Sequence, residues 1–235
     1  MPDDHVPDDD DHVPGDHVPG DRASDDHASG DHASDAHASD DLDAYVAVGP
    51  RVALRTYSAD DAEEFTAAAR ASRALHRPWL FPPQTAEEYA RYRRTLDEDP
   101  ARLGFLVCER AAAGRIAGFV NINNIVLGGL LSGALGYGAF VHAAGRGLLG
   151  EGLGLVLRHA FDPPPTPGGV GGPPALHRLE ADIQPGNAAS RALVVRAGFR
   201  LEGFSPALLF IDGAWRDHER WAITADAQAL SGACS

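Results

Sequence analysis

Apolar and polar residues alternate along several stretches after residue 42, which is the pattern of half-buried strands. The stretch 44–58 alternates on both sides of Gly49-Pro50, so it predicts a first strand with an interruption at that point. Three more strands are predicted at 103–110, 115–125 and 134–142. The chain up to residue 142 therefore already contains most of a sheet.

The second half of the chain adds a strand and a hairpin. In the segment 177–184 the apolar residues Leu179, Ala181 and Ile183 alternate with polar ones, which predicts a strand entering the sheet. Residues 200–211 and 214–224 flank Asp212-Gly213, a pair that favours the tight turn of a β-hairpin.

Helical patterns separate these strands. The predicted helices run from Ser58 to about 72, from 86 to 97, from 147 to 161 and from 187 to 197. Thr85 followed by Glu88 is a capping-box pattern, and Asn187 and Gly198 suit the start and the stop of the last helix. The order of elements predicts an α/β (α+β) fold with a mixed, mostly antiparallel central sheet flanked by helices.

Two stretches predict irregular structure instead. The sequence HRPWLFPP at 76–83 predicts a rigid aromatic loop between the first two helices. The sequence DPPPTPGGVGGPPA at 162–175 is too rich in Pro and Gly for regular structure, so it predicts a long, exposed and mobile loop.

The first 41 residues have a different texture and predict a disordered tail, followed by one domain over 42–235. DHVP and HAS each occur three times, and five histidines, at 12, 17, 27, 32 and 37, lie on a five-residue register that fits neither helix nor strand. With almost no apolar side chains to bury, this segment cannot offset its ordering entropy. Its histidines and aspartates suit a transition metal, although a solvating tail is the simpler interpretation.

Composition excludes some classes of function for the predicted domain. The whole chain has a net charge of -14, but the tail holds 14 Asp and one Arg and so carries -13 of it. The domain is therefore close to neutral, and we expect no nucleic-acid partner. Two cysteines, Cys108 and Cys234, form neither a disulfide framework nor a metal-ligand pair. Together with the absence of a secretory-signal pattern, this predicts a cytoplasmic protein without a metal.

An uncharged stretch at 125–145 approaches the length of a membrane span. Its glycines, with Ser132 and His142, dilute the hydrophobicity and favour two strands joined by a loop. We therefore expect no membrane partner.

The candidate chemistry begins where this stretch ends. The segment Gly145-Arg146-Gly147-Leu148-Leu149-Gly150 links a predicted strand to a predicted helix. Unpaired N–H groups and the positive end of the helix dipole meet there, which predicts an anion site. The segment lacks the Lys-Ser/Thr of a Walker loop, and it does not open a series of βαβ units as a dinucleotide fingerprint does.

Four ordered motifs add a resemblance to a known family. The segments HRPWLFPP, IVLGGLLSGALGYGAFVHAAGRGLLGEGL, HRLEADIQPGNAASRALVVRAGFRLEG and LLFIDGAWRDHERWAIT resemble the GNAT acetyltransferase superfamily, and within it the RimJ/RimL-type protein N-alpha-acetyltransferases. The resemblance covers about residues 51–225. It implies acetyl-CoA as co-substrate and an amine as acceptor.

The resemblance also implies where acetyl-CoA binds. The strand at 136–142 would splay from its neighbour, and the pantetheine arm would pair with the backbone of Ala139, Phe140 and Val141. The diphosphate would lie on the N–H groups of Arg146, Gly147, Leu148, Leu149 and Gly150. Asn187 and Ser190, in an Asn-x-x-Ser pattern, would hold the thiol end. Two positions depart from the family pattern: Ala144 replaces Gln or Arg, and Leu149 stands where Gly or Ala is frequent.

The resemblance implies two catalytic roles. Many relatives have a tyrosine, the proposed general acid, where this chain has Val194, so Ser190 is the candidate acid here. Glu180 is the candidate base, through water, with a salt bridge to Arg178 as the alternative. Proximity and donors to the oxyanion supply most of the acceleration in such a reaction, and we expect N–H groups near Phe140 or Val141 to be these donors.

The acceptor is the least constrained part of the prediction. Trp79 and Tyr137 are expected to contact it, and a protein N-terminus is favoured over a small-molecule or antibiotic amine, in a monomer or homodimer. A catalytically weak acetyl-CoA sensor, and a protein whose functional part is the tail, remain as alternatives. We expect His142, His159, His177 and His218 to be packing or surface residues, with His218 at the edge of the hairpin.

Overall fold

The computed structural model describes residues 45–162 and 175–227. The predicted tail at 1–41, its proposed metal ligands and the interior of the predicted Pro/Gly loop lie outside these residues. The division of the chain into tail and domain therefore stays a prediction.

Eight strands form one sheet across the described residues, in the spatial order β1-β2-β3-β4-β5-β6-β8-β7. The strands are β1 (Ala47–Val48), β2 (Val52–Arg55), β3 (Leu103–Glu109), β4 (Arg115–Val126), β5 (Ser132–Ala139), β6 (Arg178–Ile183), β7 (Arg200–Ile211) and β8 (Ala214–Thr224). Neighbouring strands are antiparallel except β5 and β6, which are parallel. This confirms the predicted mixed, mostly antiparallel sheet.

Helices flank the sheet. They are α1 (Ala62–Ala71), α2 (Arg73–His76), α3 (Ala86–Glu98), α4 (Leu148–Phe161) and α5 (Ala188–Arg196). The Thr85–Glu88 capping box that the sequence predicts is present at the start of α3. One difference is α2, a single helical turn that lies between the predicted end of the first helix at about 72 and the predicted loop, which it overlaps only at His76.

Two apolar clusters hold these layers together. On one face of the sheet, Leu153 and Val156 of α4 and Leu193 of α5 pack against alternate residues of the strands, including Leu179 and Ile183. On the other face, Phe65 of α1 and Tyr89 of α3 pack with Phe119 and Phe140. The sheet lies between helices on both faces, and the strict alternation predicted for β6 follows from burial of its α4 side.

The uncharged stretch 125–145 forms the end of β4, the strand β5 and the loop after it. Among the described residues, no helix has the length and apolar character of a membrane span. The predicted strand 134–142 is displaced: β5 begins at Ser132 and ends at Ala139, because the chain turns at Phe140, whose carbonyl accepts from the N–H groups of Ala143 and Ala144.

Candidate active site

Three cavities meet around Tyr137 of β5. The splay cavity, of about 730 Å³, is lined by residues of β5, the start of α4 and the helix α5, among them Ala139, Gly147, Leu149, Gly150, Asn187 and Ser190. The hairpin cavity, of about 190 Å³, is lined by Asp182, Ser190 and His218 among others. The α3 cavity, of about 640 Å³, is lined by Arg73, Arg91 and Asn121 among others. Tyr137 lines all three.

The splay cavity opens because β5 and β6 separate. The two parallel strands pair from Ser132↔Arg178 to Ala134↔Glu180, and no later pairs exist between them. On its other edge β5 remains paired with β4 as far as Ala139. One edge of β5 is therefore left without a strand partner from about residue 135, as the family resemblance implied.

The direction of the backbone groups along β5 narrows one prediction. The Phe140 N–H donates to the Ala117 carbonyl of β4 at 2.9 Å, and the Val141 N–H donates to Ser72 Oγ at 2.8 Å. Neither of these two N–H groups is available to an oxyanion, so a donor near them must be another backbone N–H. Because N–H directions alternate along a strand, the N–H of Ala139 points away from β4, toward the splay.

Two residues that the sequence analysis did not select fix this end of β5. Buried Ser72 accepts from the Val141 N–H and donates its own hydroxyl to the Ala68 carbonyl at 2.6 Å. Buried His76 bonds through Nε2 to the Ala139 carbonyl at 2.8 Å, and burial lowers the pKa of its imidazole. A buried serine and histidine one turn apart carry no sequence signal, since their partners are 63 to 69 residues away.

The start of α4 has the backbone geometry on which the prediction of an anion site rests. Gly147 is the residue before the helix and has a positive φ of 77°, a conformation that side chains with a Cβ rarely adopt. The first bond within the helix runs from the Glu151 N–H to the Gly147 carbonyl, so the N–H groups of Leu148, Leu149 and Gly150 have no partner in the helix. Leu149 and Gly150 line the splay cavity, whereas the Leu148 side chain is buried in the core.

The side chain and the N–H group of Arg146 are both engaged within the protein. Its guanidinium forms two bonds with the Glu109 carboxylate of β3, which holds the pKa of that carboxyl below its usual range. Its N–H donates to the Ala143 carbonyl at 3.3 Å. Arg146 therefore braces the loop, and among the cationic side chains it is Arg196 of α5 that lines the splay cavity.

Arg51 stabilises the same loop from the turn between β1 and β2. Its guanidinium donates to the carbonyls of Arg146 and Gly147 and pairs with Glu151 of α4 at 2.8 Å. Glu151 also accepts the N–H groups of Arg51 and Val52. The Glu151 carboxylate therefore anchors the start of α4 to the turn between β1 and β2, beside the splay cavity.

The helix α5 faces this loop across the splay cavity. Asn187 caps the helix, and its side-chain oxygen accepts the Ser190 N–H at 3.1 Å. Ser190 Oγ and Tyr137 Oη are 2.5 Å apart. Burial raises the pKa of Tyr137 to about 12, so its phenol stays protonated at ordinary pH. The pair lies where the splay and hairpin cavities join.

Glu180, the predicted base, lies on β6 on the face opposite the α4 core. Its carboxylate accepts from Arg178 Nε at 2.7 Å, and its side chain is 46% exposed. The same guanidinium binds Glu202 of β7. Glu180 does not line any of the three cavities. The geometry thus favours the salt-bridge alternative without testing the catalytic one.

The hairpin cavity contains a residue that the sequence analysis misplaced. His218 is 1% exposed and lines this cavity, so it is a packing residue, but its predicted place at the edge of the hairpin was wrong. The strand β8 pairs with both β6 and β7, which buries this position in the sheet. Trp79, from the segment after α2, lines the splay and hairpin cavities, close to the position expected for an acceptor-contacting residue.

No group of three or more metal-ligating side chains is present within residues 45–162 and 175–227. The site is instead a meeting point of backbone N–H groups, two hydroxyls and a buried imidazole. Such a set fits a ligand with an anionic part and a reacting carbonyl.

A comparison with protein-family models decides the family. Residues 51–200 match the model described as an acetyltransferase (GNAT) domain. The chain belongs to the GNAT acetyltransferase family. The match contains the strand splay, the α4 start and the Asn-x-x-Ser helix.

Relatives of this GNAT chain include named N-acetyltransferases. The "[Ribosomal protein uS5]-alanine N-acetyltransferase" of Escherichia coli (strain K12) is 34% identical over 109 residues, which are 46% of this chain and 51% of that protein. The chain thus spans about half the length of this relative.

Solved GNAT structures share the fold over more of the chain. The structure of Mycobacterium smegmatis RimJ in complex with CoA-disulfide is 28% identical, with a TM-score of 0.64 over 77% of this chain and 89% of that one. A spermidine N-acetyltransferase from Vibrio cholerae, in complex with CoA and spermine, has a TM-score of 0.63 at 19% identity over 77% and 99% of the two chains. This second likeness concerns the fold alone.

The structure explains the departures from the usual GNAT pattern. Val194 is fully buried in the core below α5, so it has no access to the cavities and no proton to give. Leu149 projects into the splay cavity beside Gly150. In this GNAT domain the hydroxyls of Tyr137 and Ser190, rather than a side chain at position 194, line the splay cavity.

Proposed function

We propose that this GNAT domain transfers the acetyl group of acetyl-CoA to the α-amino group of a protein N-terminus. One observation carries the proposal: the unpaired N–H groups of the α4 start, the free edge of β5 and the Tyr137–Ser190 pair line one continuous cavity. These features supply an anion site, a backbone edge and a proton donor in the order in which CoA presents diphosphate, pantetheine amides and thioester.

The CoA diphosphate binds the N–H groups of Leu148, Leu149 and Gly150 in this proposal, where the helix dipole also favours an anion. Gly147 and Arg146 contribute the shape of the loop, through the positive φ of Gly147 and the ion pair of Arg146 with Glu109. Arg196 adds a positive charge on the opposite wall. The relative from M. smegmatis, solved with a CoA-disulfide, supports this assignment.

The pantetheine arm lies along the free edge of β5, with Asn187 near its thiol end. Of the three residues predicted to pair with it, Ala139 lines the cavity, while Phe140 is buried and the Val141 N–H is bonded to Ser72. We therefore assign pairing with the arm to Ala139 and retain Phe140 and Val141 as supports. The N–H of Ala139 is then also the donor nearest to the developing oxyanion.

The chemical step requires a neutral amine and a protonated leaving group. The amine attacks the thioester carbonyl carbon, the C–S bond breaks, and the CoA thiolate takes a proton. Ser190 donates this proton. Tyr137 is hydrogen-bonded to Ser190 and, because burial raises its pKa to about 12, it is protonated at ordinary pH. Tyr137 therefore replaces the proton that Ser190 loses.

Replacement of Ser190 by alanine tests this role. We expect kcat to fall by roughly 100-fold, the lower end of what a positioned general acid contributes, because Tyr137 or water partly substitutes. Ser190→Thr keeps the hydroxyl and should restore most of the rate. The measurement is CoA thiol release, with CoA-induced stabilisation as the check that binding persists. An unchanged kcat in Ser190→Ala would remove the assignment, and binding without turnover in the wild type would favour a sensor.

The charge of the α3 cavity bears on the acceptor. Arg73, Arg77 and Arg91 line it with a single carboxylate, Glu88, which is occupied as the helix cap of α3. Arg77 pairs with Asp212 at 3.5 Å and Arg91 with Glu87 at 3.3 Å, so the positive charge of this wall comes mainly from Arg73. A positively lined cavity repels a polycation and attracts an acceptor that carries carboxylates. This observation supports a peptide acceptor with acidic side chains over a polyamine such as spermidine, the other kind of acceptor found among proteins with this fold.

A panel of acceptors tests the peptide assignment. We expect N-terminal peptides with Asp or Glu near the α-amine to give a higher kcat/KM than matched Lys peptides, spermidine or aminoglycosides. Arg73→Gln should raise KM for the acidic peptide roughly threefold to fivefold, which corresponds to the worth of an exposed charge pair. Arg94→Gln, on the exposed side of α3, is the matched control. A preference for spermidine or an aminoglycoside would instead establish the small-amine alternative.

A further inference from the structure

The orientation of His218 leaves one ring nitrogen free to act. Nδ1 lies 2.9 Å from the Arg216 carbonyl, an acceptor, so Nδ1 carries the hydrogen of the neutral imidazole. Nε2 then holds a lone pair, and it hydrogen-bonds to none of the described residues. A buried histidine with a fixed tautomer and an unpaired acceptor nitrogen is equipped to take up a proton.

His218 shares a cavity with the proposed proton donor. His218 lines the hairpin cavity together with Tyr137 and Ser190, the hydroxyl pair at its junction with the splay cavity. Asp182 of β6 lines the same cavity. Partial burial raises the pKa of Asp182. The nearby His218 lowers this pKa, because the carboxylate and a positive charge on the imidazole attract each other.

The other charged groups near this pair are few. Arg220 of β8 lies opposite Asp182, and Glu180 is two residues away along β6 but bound to Arg178. On β7 the residue opposite His218 is the uncharged Ser205. On α5, Arg191 is paired with Glu219. Asp182 is therefore the carboxylate that shares the cavity with the imidazole.

We propose that His218 is the catalytic base of this domain, which accepts a proton from the acceptor's ammonium group at Nε2, while Asp182 stabilises the resulting imidazolium. This inference rests on the proposed function and assigns to His218 the role that the family resemblance gives to Glu180. Its basis is the shared cavity, the fixed tautomer and the neighbouring carboxylate.

The protons balance in this scheme. An ammonium acceptor has three N–H hydrogens and the amide product has one. His218 takes the first, which frees the lone pair that attacks the thioester carbonyl, and later releases it to water. The second leaves the nitrogen as the tetrahedral intermediate collapses. The CoA sulfur receives a proton from Ser190, and the second proton passes through water to restore the Tyr137–Ser190 pair.

The pH dependence of kcat/KM tests the inference. The kcat/KM of the wild type should fall at acid pH, because a protonated imidazole cannot act as a base. This fall is called the acid limb. His218→Gln should lower kcat/KM roughly 100-fold at neutral pH and remove this acid limb, with activity rising at alkaline pH as the free amine forms. His177→Gln, at an exposed histidine, is the control for the same substitution. In Asp182→Asn the acid limb should move to lower pH, because imidazolium loses its partner.

A less basic acceptor amine separates a catalytic from a structural role. At neutral pH such an amine arrives already deprotonated and needs no base, so the defect of His218→Gln should shrink towards wild-type activity. Equal defects for both amines, or an acid limb retained in His218→Gln and unmoved in Asp182→Asn, would overturn the inference. Absence of acetyl transfer by the wild type to every peptide would instead count against the proposed function.

Discussion

Replacement of Gly150 by glutamate is expected to abolish the stabilisation of this domain by CoA and to reduce acetyl transfer to background. Gly150 faces α5 across the splay cavity, and an added Cβ would meet only Leu193 Cδ1, at an ordinary 3.5 Å. A glutamate in the first turn of a helix suits the helix dipole, so α4 itself should tolerate it. Its carboxylate, however, would occupy the anion site and repel the diphosphate.

Thermal unfolding with and without CoA measures this effect. A ligand at 100 times its Kd stabilises the native state by about 2.7 kcal/mol, which is a readily detected shift in Tm. The matched control is Gly154→Glu on the same helix, where a Cβ would meet only Arg158 Nη1 at 3.7 Å. Gly154→Glu should retain the CoA-induced shift. If Gly150→Glu retained it equally, the diphosphate would have to bind elsewhere.

Replacement of Phe65 by alanine is expected to lower the free energy of unfolding by about 3–5 kcal/mol, the usual cost of removing a buried phenylalanine. The Phe65 ring is fully buried and lies 5.2 Å from the rings of Tyr89 and Phe140 and 5.7 Å from that of Phe119. It therefore joins α1, α3 and the end of β5 in one cluster. Since domains of this size are stable by about 5–15 kcal/mol, the loss is a large fraction of the total.

Chemical denaturation of the variant and of Phe210→Ala checks this expectation. Phe210, on the hairpin, is 62% exposed, and its alanine variant should change the free energy of unfolding by less than about 1 kcal/mol. Similar losses in both variants would contradict the assignment of Phe65 to the core that supports the site.

Local patterns in the sequence were sufficient for most of the fold. The Asp212-Gly213 pair predicted the hairpin because both residues adopt the positive φ that the tight turn requires. The Thr85–Glu88 spacing predicted the start of α3 for an equally local reason. The end of β5 was misjudged by three residues, because it depends on a turn at Phe140 and on the bond from Val141 to Ser72, which is 69 residues away.

The candidate site also combines features that the local sequence determines with contacts that only the fold brings together. The glycine-rich segment before α4 is a local feature, and the sequence correctly predicted that it connects a strand to a helix. Its role as an anion site stays a prediction. The ion pair of Arg146 with Glu109 joins segments that come together only in the fold, so it could not be assigned beforehand. The pair of Glu180 with Arg178 joins two residues of the same strand, and the sequence already offered it as an alternative. His218 was misplaced because a strand pattern does not reveal that β8 is paired on both sides.

The most direct test of the proposed function is to locate the acetyl group on an acceptor peptide. The purified chain would be incubated with acetyl-CoA and an acidic peptide that contains both a free N-terminal amine and an internal lysine, and the product fragmented by mass spectrometry. The account predicts one acetyl group per peptide, on the α-amine, with an equal amount of CoA thiol released. Acetylation of the lysine alone, or no transfer from acetyl-CoA, would contradict it.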